Sequence, residues 1–505
     1  MTRAGFYSLL LLLFPVTAAL YLAAAAENYS RSDFPADFVF GSGTGAYQYE
    51  GAAFEDGRAP SIWDTFAHSG HVNGVTGDVA CDGYHKYKDD VKLMSDTGLE
   101  AFRISLSWSR LIPNGRGPVN PLGLQYYNKL IDDLISHGIQ PHVTLHHLDL
   151  PQALESEYGG WLNRKIVKDF TAYADVCFRE FGDRVSFWTT VNEANIFATG
   201  GYSEGLIAPG RCSPSIRTGC FGNSSTEPYI VGHNILLAHS ATWKLYRKKY
   251  KATQKGYVGF SIYTWGMVPY SNAKEDIIAT QRLKDFIIGW LIDPLIFGDY
   301  PEIVKRRAKG RIPALTKYES KQTKGSFDFI GLNFYMVFSV EDDRSLPDFD
   351  KWNFWTDVGV KIFNIDSGNT PPDQLPVMPW GLSTLLEYIK QVYGNPPIYI
   401  HENGQSLKRN GTLNDTPRVE YLRGYIGGML DAIRNGSNTK GYFAWSFLDC
   451  LELDGYEHSF GLYYVDLDDA ELKRYQKLSA IWYSNFLKGS NAISEVGENV
   501  FVSLK

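Results

Sequence analysis

Along this chain, short apolar runs rich in β-branched and aromatic residues alternate with longer stretches whose apolar positions return every three or four residues. The short runs fall at residues 38–40, 100–106, 140–145, 185–191, 257–263, 327–335, 397–401 and 441–446, and each reads as a strand. The longer stretches, at 84–94, 122–136, 164–181, 229–250, 279–288, 382–393 and 419–434, read as amphipathic helices. Alternation of this kind predicts parallel strands joined by crossover helices. Eight repeats without a break in composition predict an α/β chain closed into a single (β/α)8 TIM barrel with long active-site loops. At 505 residues two domains would be the usual expectation, but no Ser/Pro/Gly-rich linker divides the chain. Residues 336–379, with Pro347, Pro371, Pro372, Pro376 and Pro379, read as one long irregular loop over the barrel mouth.

The polar residues fall at one end of this layout. Arg103, His147, Asn192, Glu193, Asn333, Tyr335, Glu402 and Trp445 all lie within or just after strand-like runs. In such barrels the C-terminal strand ends build the active site, and charge at a buried strand end is costly unless it is used. Two segments, Thr190-Val191-Asn192-Glu193 and Ile400-His401-Glu402-Asn403-Gly404, each end an apolar run with a glutamate. A carboxylate pair converging at one barrel end is what cleavage of a glycosidic bond needs: one group protonates the leaving oxygen and the other acts as nucleophile or base. The two must differ in protonation at one pH. Arg103 could hold Glu402 ionised, and the Glu402 charge would then raise the proton affinity of Glu193.

Composition narrows the partners. Lys+Arg 49 against Asp+Glu 56 leaves a net charge of −7, and the short basic run Arg247-Lys248-Lys249 reads as a solvated helix end. Nucleic acid is therefore not an expected partner. The 14% aromatic content suits stacking on sugar rings, although a large core also uses aromatics. Arg3, the apolar run 9–22 and the alanines 23–26 form a secretory signal peptide, residues 1–26. The run is short of the ~20 residues that a spanning helix needs. With no second such span, no membrane contact is expected after cleavage. Cys212 and Cys220 flank a polar loop and could staple it in an oxidising compartment. Cys81, Cys177 and Cys450 read as free buried thiols, and without CxxC spacing neither zinc nor redox chemistry is expected. Sequons at Asn28, Asn223, Asn410, Asn414 and Asn435 suit a glycoprotein.

Longer segments carry a resemblance. Ala46-Tyr47-Gln48, Glu55-Asp56-Gly57-Arg58, Asp149-Leu150-Pro151-Gln152 and Trp188-Thr189-Thr190-Val191-Asn192-Glu193 are followed by Asn333-Phe334-Tyr335, Glu402-Asn403-Gly404 and Phe460-Gly461-Leu462-Tyr463-Tyr464-Val465-Asp466. In these segments the chain resembles plant β-glucosidases of glycoside hydrolase family 1, from Phe34-Pro35 to Leu487-Lys488-Gly489. The resemblance implies a catalytic barrel over 27–489, a C-terminal tail over 490–505, and a two-step retaining mechanism without cofactor or metal. Glu402 would be the nucleophile and Glu193 the acid/base. Gln48, His147, Asn192 and Glu452 would hydrogen-bond glucose hydroxyls, with Trp445 as platform. Arg103, Tyr335 and Asn333 would orient Glu402, and Tyr335 would also meet substrate. The implied substrates are small-molecule β-glucosides or short β-gluco-oligosaccharides, and the implied location is the apoplast or vacuole. Glu452 favours unphosphorylated sugars, and Glu193 argues against a thioglucosidase. Two alternatives keep the same barrel: a transglucosidase sharing the glucosyl-enzyme, and a catalytically silent sugar-binding or storage protein.

The chain also departs from the family pattern. Ala194 replaces the usual proline, His401 the usual threonine, and Leu453 and Leu148 replace tryptophans. Loss of an indole donor at Leu453 would cost a sugar hydroxyl one partner, about 0.5–1.5 kcal/mol, so glucose preference is less firmly implied than retaining hydrolysis. Gly41-Ser42-Gly43-Thr44-Gly45 lacks nucleotide-loop spacing and is expected to allow close approach of backbone to the sugar site. Among His142, His146 and His147, the last two point to opposite strand faces, so one sugar-binding and two structural histidines are expected rather than a metal site. Trp352, Trp355 and Trp380 either line a leaving-group pocket or anchor the mouth loop.

Overall fold

The computed structural model describes residues 29–345, 351–365, 370–409 and 411–489. The signal segment, Asn28, Asn410 and the tail 490–505 lie outside the described residues.

Eight strands form the barrel: β1 (Val39–Gly43), β2 (Ala101–Ser105), β3 (Gln140–His146), β4 (Phe187–Val191), β5 (Tyr257–Pro269), β6 (Ile330–Asp342), β7 (Ile398–Asn403) and β8 (Thr439–Ala444). Each pairs in parallel with its sequence neighbour, and β8 pairs in parallel with β1, which closes the ring. The helices between the strands pack their apolar stripes inward. In helix Lys165–Phe181 the buried positions Ile166, Phe170, Tyr173, Ala174, Cys177, Phe178 and Phe181 recur at the three-to-four spacing of one helix face. Among the described residues, no helix is long and apolar enough to cross a membrane.

The barrel interior is layered. Ala101, Phe329, Tyr399 and Phe443 form an apolar plug, joined by Val39 and Phe187, with most of these residues near the starts of their strands. Above it, His142 stacks on Phe187 at 4.4 Å, and His401 meets Phe329 and Phe443 nearly edge-on. Burial holds both imidazoles neutral by pushing their pKa values down. The plug supports the polar layer at the C-terminal strand ends, where the site lies.

The mouth region differs from the expected irregular loop. β6 runs on to Asp342 and pairs antiparallel with strand Val360–Asn364, after the short helix Phe354–Val358. Val360 and Ile362 are half-buried and alternate with the exposed Lys361 and Phe363, whereas Pro371, Pro372 and Pro376 lie beyond this strand and Pro347 lies outside the described residues. Pro371, Pro372 and Pro376 follow the strand pair, and two-residue periodicity marks only its second member, Val360–Asn364.

Candidate active site

Glutamate 193 follows β4 in the left-handed region, with φ 45°, and immediately precedes helix Ala194–Tyr202. Such a conformation costs a non-glycine residue about 1–2 kcal/mol and is the kind of strain stored where a side chain must be aimed. Ala194 takes the first helical position, fully buried. A proline there would lose no hydrogen bond, so alanine and proline serve the same turn.

Side chains from β2, β3, β4, β6 and β7 meet in one hydrogen-bonded chain. Arg103 Nη1 donates to Glu402 Oε1 at 2.7 Å, and Arg103 Nη2 donates to Asn192 Oδ1 at 2.6 Å. Tyr335 donates its hydroxyl to Glu402 Oε2 at 2.9 Å. Asn333 Nδ2 donates to Glu193 Oε1 at 2.9 Å and to Asn192 Oδ1 at 3.1 Å, so it spans both carboxyl neighbourhoods. Asn192 Nδ2 donates to His147 Nε2 at 3.0 Å. Burial holds the His147 pKa well below the ordinary value and keeps the ring neutral, and the Asn192 Nδ2 donor makes Nε2 its acceptor.

The two glutamates sit in different electrostatic surroundings. Both are buried, which raises both pKa values, but the Arg103 guanidinium and the hydrogen bonds from Arg103 and Tyr335 pull Glu402 back down. Burial pushes Glu193 up to about 8, the Glu402 charge adds to this, and only the Asn333 hydrogen bond and the more distant Arg103 oppose it. Glu402 therefore ionises first, and Glu193 retains its proton near neutrality. Tyr335 is also held well above its ordinary pKa and stays a donor.

A third carboxyl, Glu452, lies 3.5 Å from Gln48 Nε2 and 3.5 Å from the Cys450 thiol, and burial pushes it up to about 8. Gln48 is anchored by donating to the Leu451 carbonyl at 2.8 Å. Trp445 precedes a cis peptide bond, and its ring lies 5.8 Å from that of His147. Gln48, His147, Glu193, Tyr335, Glu402, Trp445 and Glu452 line one cleft of about 860 Å³. Arg103, Asn192 and Asn333 stand beneath and bond to its lining residues.

The backbone of the glycine-rich turn lies close against the site. A side chain at Gly43 would meet Arg103, and one at Gly45 would lie 2.6 Å from Gln48 Oε1 and 3.3 Å from the His147 ring. These glycines make room for the protein's own site residues. His146 packs against Trp161 and Phe197, away from the cleft. The tryptophans serve as anchors: Trp352 Nε1 donates to Asp357 at 2.9 Å, Trp355 lies 6.2 Å from Trp265 in a stacked arrangement, and Trp380 packs against the core. Cys212 and Cys220 form a disulfide with Cα atoms 5.3 Å apart, and Cys81, Cys177 and Cys450 are free and buried.

Sequence reasoning missed Tyr263 and Phe460. Tyr263, on β5, lines the cleft and lies 5.9 Å from the Tyr335 ring in a stacked arrangement, and Phe460 meets Tyr335 edge-on at 5.7 Å. Tyr263 could have been found as the polar-tipped residue ending the fifth apolar run. Phe460 lies on an irregular segment that carries no such signal.

Known proteins similar to this chain point to one family and fold. The family described as "Glycosyl hydrolase family 1" matches residues 30–492. β-Glucosidase 11 of Arabidopsis thaliana is 55% identical over 507 residues, covering 95% of this chain and 97% of that protein. A hydroxyisourate hydrolase from Glycine max is 55% identical over 468 residues, covering 92% of this chain and 83% of that protein. Among solved structures, a rice β-glucosidase mutant in covalent complex with glucose superposes with a TM-score of 0.88 at 44% identity, covering 91% of this chain and 99% of that one.

Proposed function

The chain belongs to glycosyl hydrolase family 1, and on that premise we propose that Glu402 is the nucleophile and Glu193 the acid/base of its retaining β-glucoside hydrolysis. One observation supports this assignment above the others: a guanidinium lies 2.7 Å from Glu402, whereas Glu193 accepts only from a neutral amide. In the first step a Glu402 oxygen attacks the anomeric carbon as its bond to the leaving oxygen breaks, and that oxygen takes the Glu193 proton. In the second, the Glu193 carboxylate removes a proton from water as the water oxygen attacks the anomeric carbon and the ester to Glu402 breaks. Inversion at each step returns the original anomer. Asn192 is held by Arg103 and Asn333 beside the nucleophile and is assigned the sugar 2-hydroxyl, where hydrogen bonds strengthen in the transition state. His147, Gln48 and Glu452 take the remaining hydroxyls above the Trp445 ring.

Small β-glucosides and short β-gluco-oligosaccharides are the proposed substrates. A relative of equal identity is named for a different substrate, hydroxyisourate, so overall similarity alone does not fix the substrate. The transglucosidase alternative shares every catalytic residue, and no observation favours it. The disulfide, the signal-like N-terminus and the exposed asparagines Asn223, Asn414 and Asn435 support passage through the secretory pathway to the apoplast or vacuole.

Proton NMR of glucose released from p-nitrophenyl β-glucoside tests the mechanism. Initial appearance of the β-anomer is expected, and initial α-anomer would overturn it.

A further inference from the structure

Beside the catalytic cleft lies a second cavity, of about 410 Å³, a size typical of small-molecule sites, which run about 300–1,000 Å³. It is formed by connections that follow β1, β3 and β4, so it opens on the same barrel face as the cleft. The segment after β1 supplies Phe66 and His71, helix Gln152–Tyr158 supplies Gln152 and Glu155, and the disulfide loop supplies Arg217 and Phe221. His71 and Arg217 line both spaces and therefore form the wall between them. Both are exposed: Arg217 donates to the Gly205 carbonyl at 2.8 Å, and the His71 ring stacks on Phe66 at 4.3 Å. The Cys212–Cys220 bridge holds the backbone that carries Arg217, so the wall has movable side chains on a closed loop.

The lining selects a chemical class. An apolar guest would leave Gln152, Glu155 and Arg217 facing hydrocarbon, at a cost for each unpaired polar group. An anion would meet Arg217 but also Glu155, whose pKa burial pushes up to about 7 and which repels an anion in the fraction that is ionised. A neutral pyranose ring satisfies every part. Its hydroxyls can donate to Glu155 and to the Gln152 carbonyl oxygen and accept from Arg217, while its C–H face lies on an aromatic ring.

We propose that this cavity binds a neutral glycosyl residue on the leaving-group side of an extended glycoside, reached from the cleft past His71 and Arg217. The inference rests on the assignment of the main cleft as the site of β-glucoside hydrolysis.

Two variants of the full chain test it: Thr65→Trp, which fills the cavity from an exposed position, and Gln152→Leu, which removes one polar partner. Their kcat/KM is measured with p-nitrophenyl β-glucoside and with cello-oligosaccharides from the dimer to the pentamer. For Gln152→Leu the longer oligosaccharides should lose about three- to tenfold, the equivalent of one neutral hydrogen bond, with p-nitrophenyl β-glucoside unchanged. Thr65→Trp should give a larger loss beginning at the same chain length. Variants that change all substrates equally, or none, overturn the proposal. Failure of the main-cleft assignment would appear separately, as the wrong anomer from the unmodified protein.

Discussion

At the inner end of the cleft, Gln48, His147, Asn192, Glu402, Trp445 and Glu452 stand on strands or on the segments that follow them and are no more than 9% exposed. On the outer wall, His71, Leu206 and Arg217 stand on connections, and Leu206 is 55% exposed. Within the inner group, Glu402, Asn192 and His147 are joined through Arg103 by hydrogen bonds of 2.6–3.0 Å that each satisfy a buried charge or amide, so one displaced member leaves another unpaired. The outer group makes few such bonds and can change without disturbing its neighbours. The barrel thus places the carboxyl pair where geometry is over-determined and builds the outer wall from segments that tolerate substitution. Leu453, 37% exposed beside Glu452, lies at the boundary between the two.

Removing inner groups should break this contrast most severely. Glu402→Gly is expected to lose activity by on the order of 10⁴–10⁶-fold and, with azide supplied, to form an α-glucosyl azide. Glu193→Ala should lose about 10²–10⁴-fold with poor leaving groups and give the β-azide. Product stereochemistry by NMR reads both, and exchanged anomers would show the roles to be reversed.

A smaller effect follows from the raised pKa of Glu193. The donor must be protonated, so kcat/KM should fall as pH rises through about 8, by about tenfold per pH unit beyond it. Glu193→Gln cannot lose that proton. With 2,4-dinitrophenyl β-glucoside, whose leaving group needs little protonation, its alkaline limb should be absent, and a surviving limb would assign the titration to another group.

The smallest expected effect is at the boundary. Leu453→Trp restores an indole donor and should raise the β-glucoside to β-fucoside ratio of kcat/KM about two- to tenfold, the scale of one neutral hydrogen bond. An unchanged ratio would place Leu453 with the outer wall.

Much of the inner group was legible because it sits at the ends of apolar runs, where a polar residue is conspicuous. Glu193 and Glu402 stood out in this way, as did Arg103, Asn333 and Tyr335. The strand Val360–Asn364 was not legible, because prolines further along outweighed a short alternating pattern. Phe460 was hidden for a related reason: it reaches Tyr335 from an irregular segment, and no local periodicity reports such a contact.

By itself the sequence determined which segments become strand or helix, their order around the barrel, and that two glutamates end up at one rim. Those outcomes depend on backbone preference and on periodicity between near neighbours. Only the tertiary structure decided which glutamate lies against the guanidinium and which holds its proton more tightly. Arg103 approaches Glu402 across 299 residues of chain and Tyr335 across 67, whereas Asn333 reaches Glu193 across 140. Proton affinity is set by desolvation and by charge through space, and neither is present until distant segments have packed together.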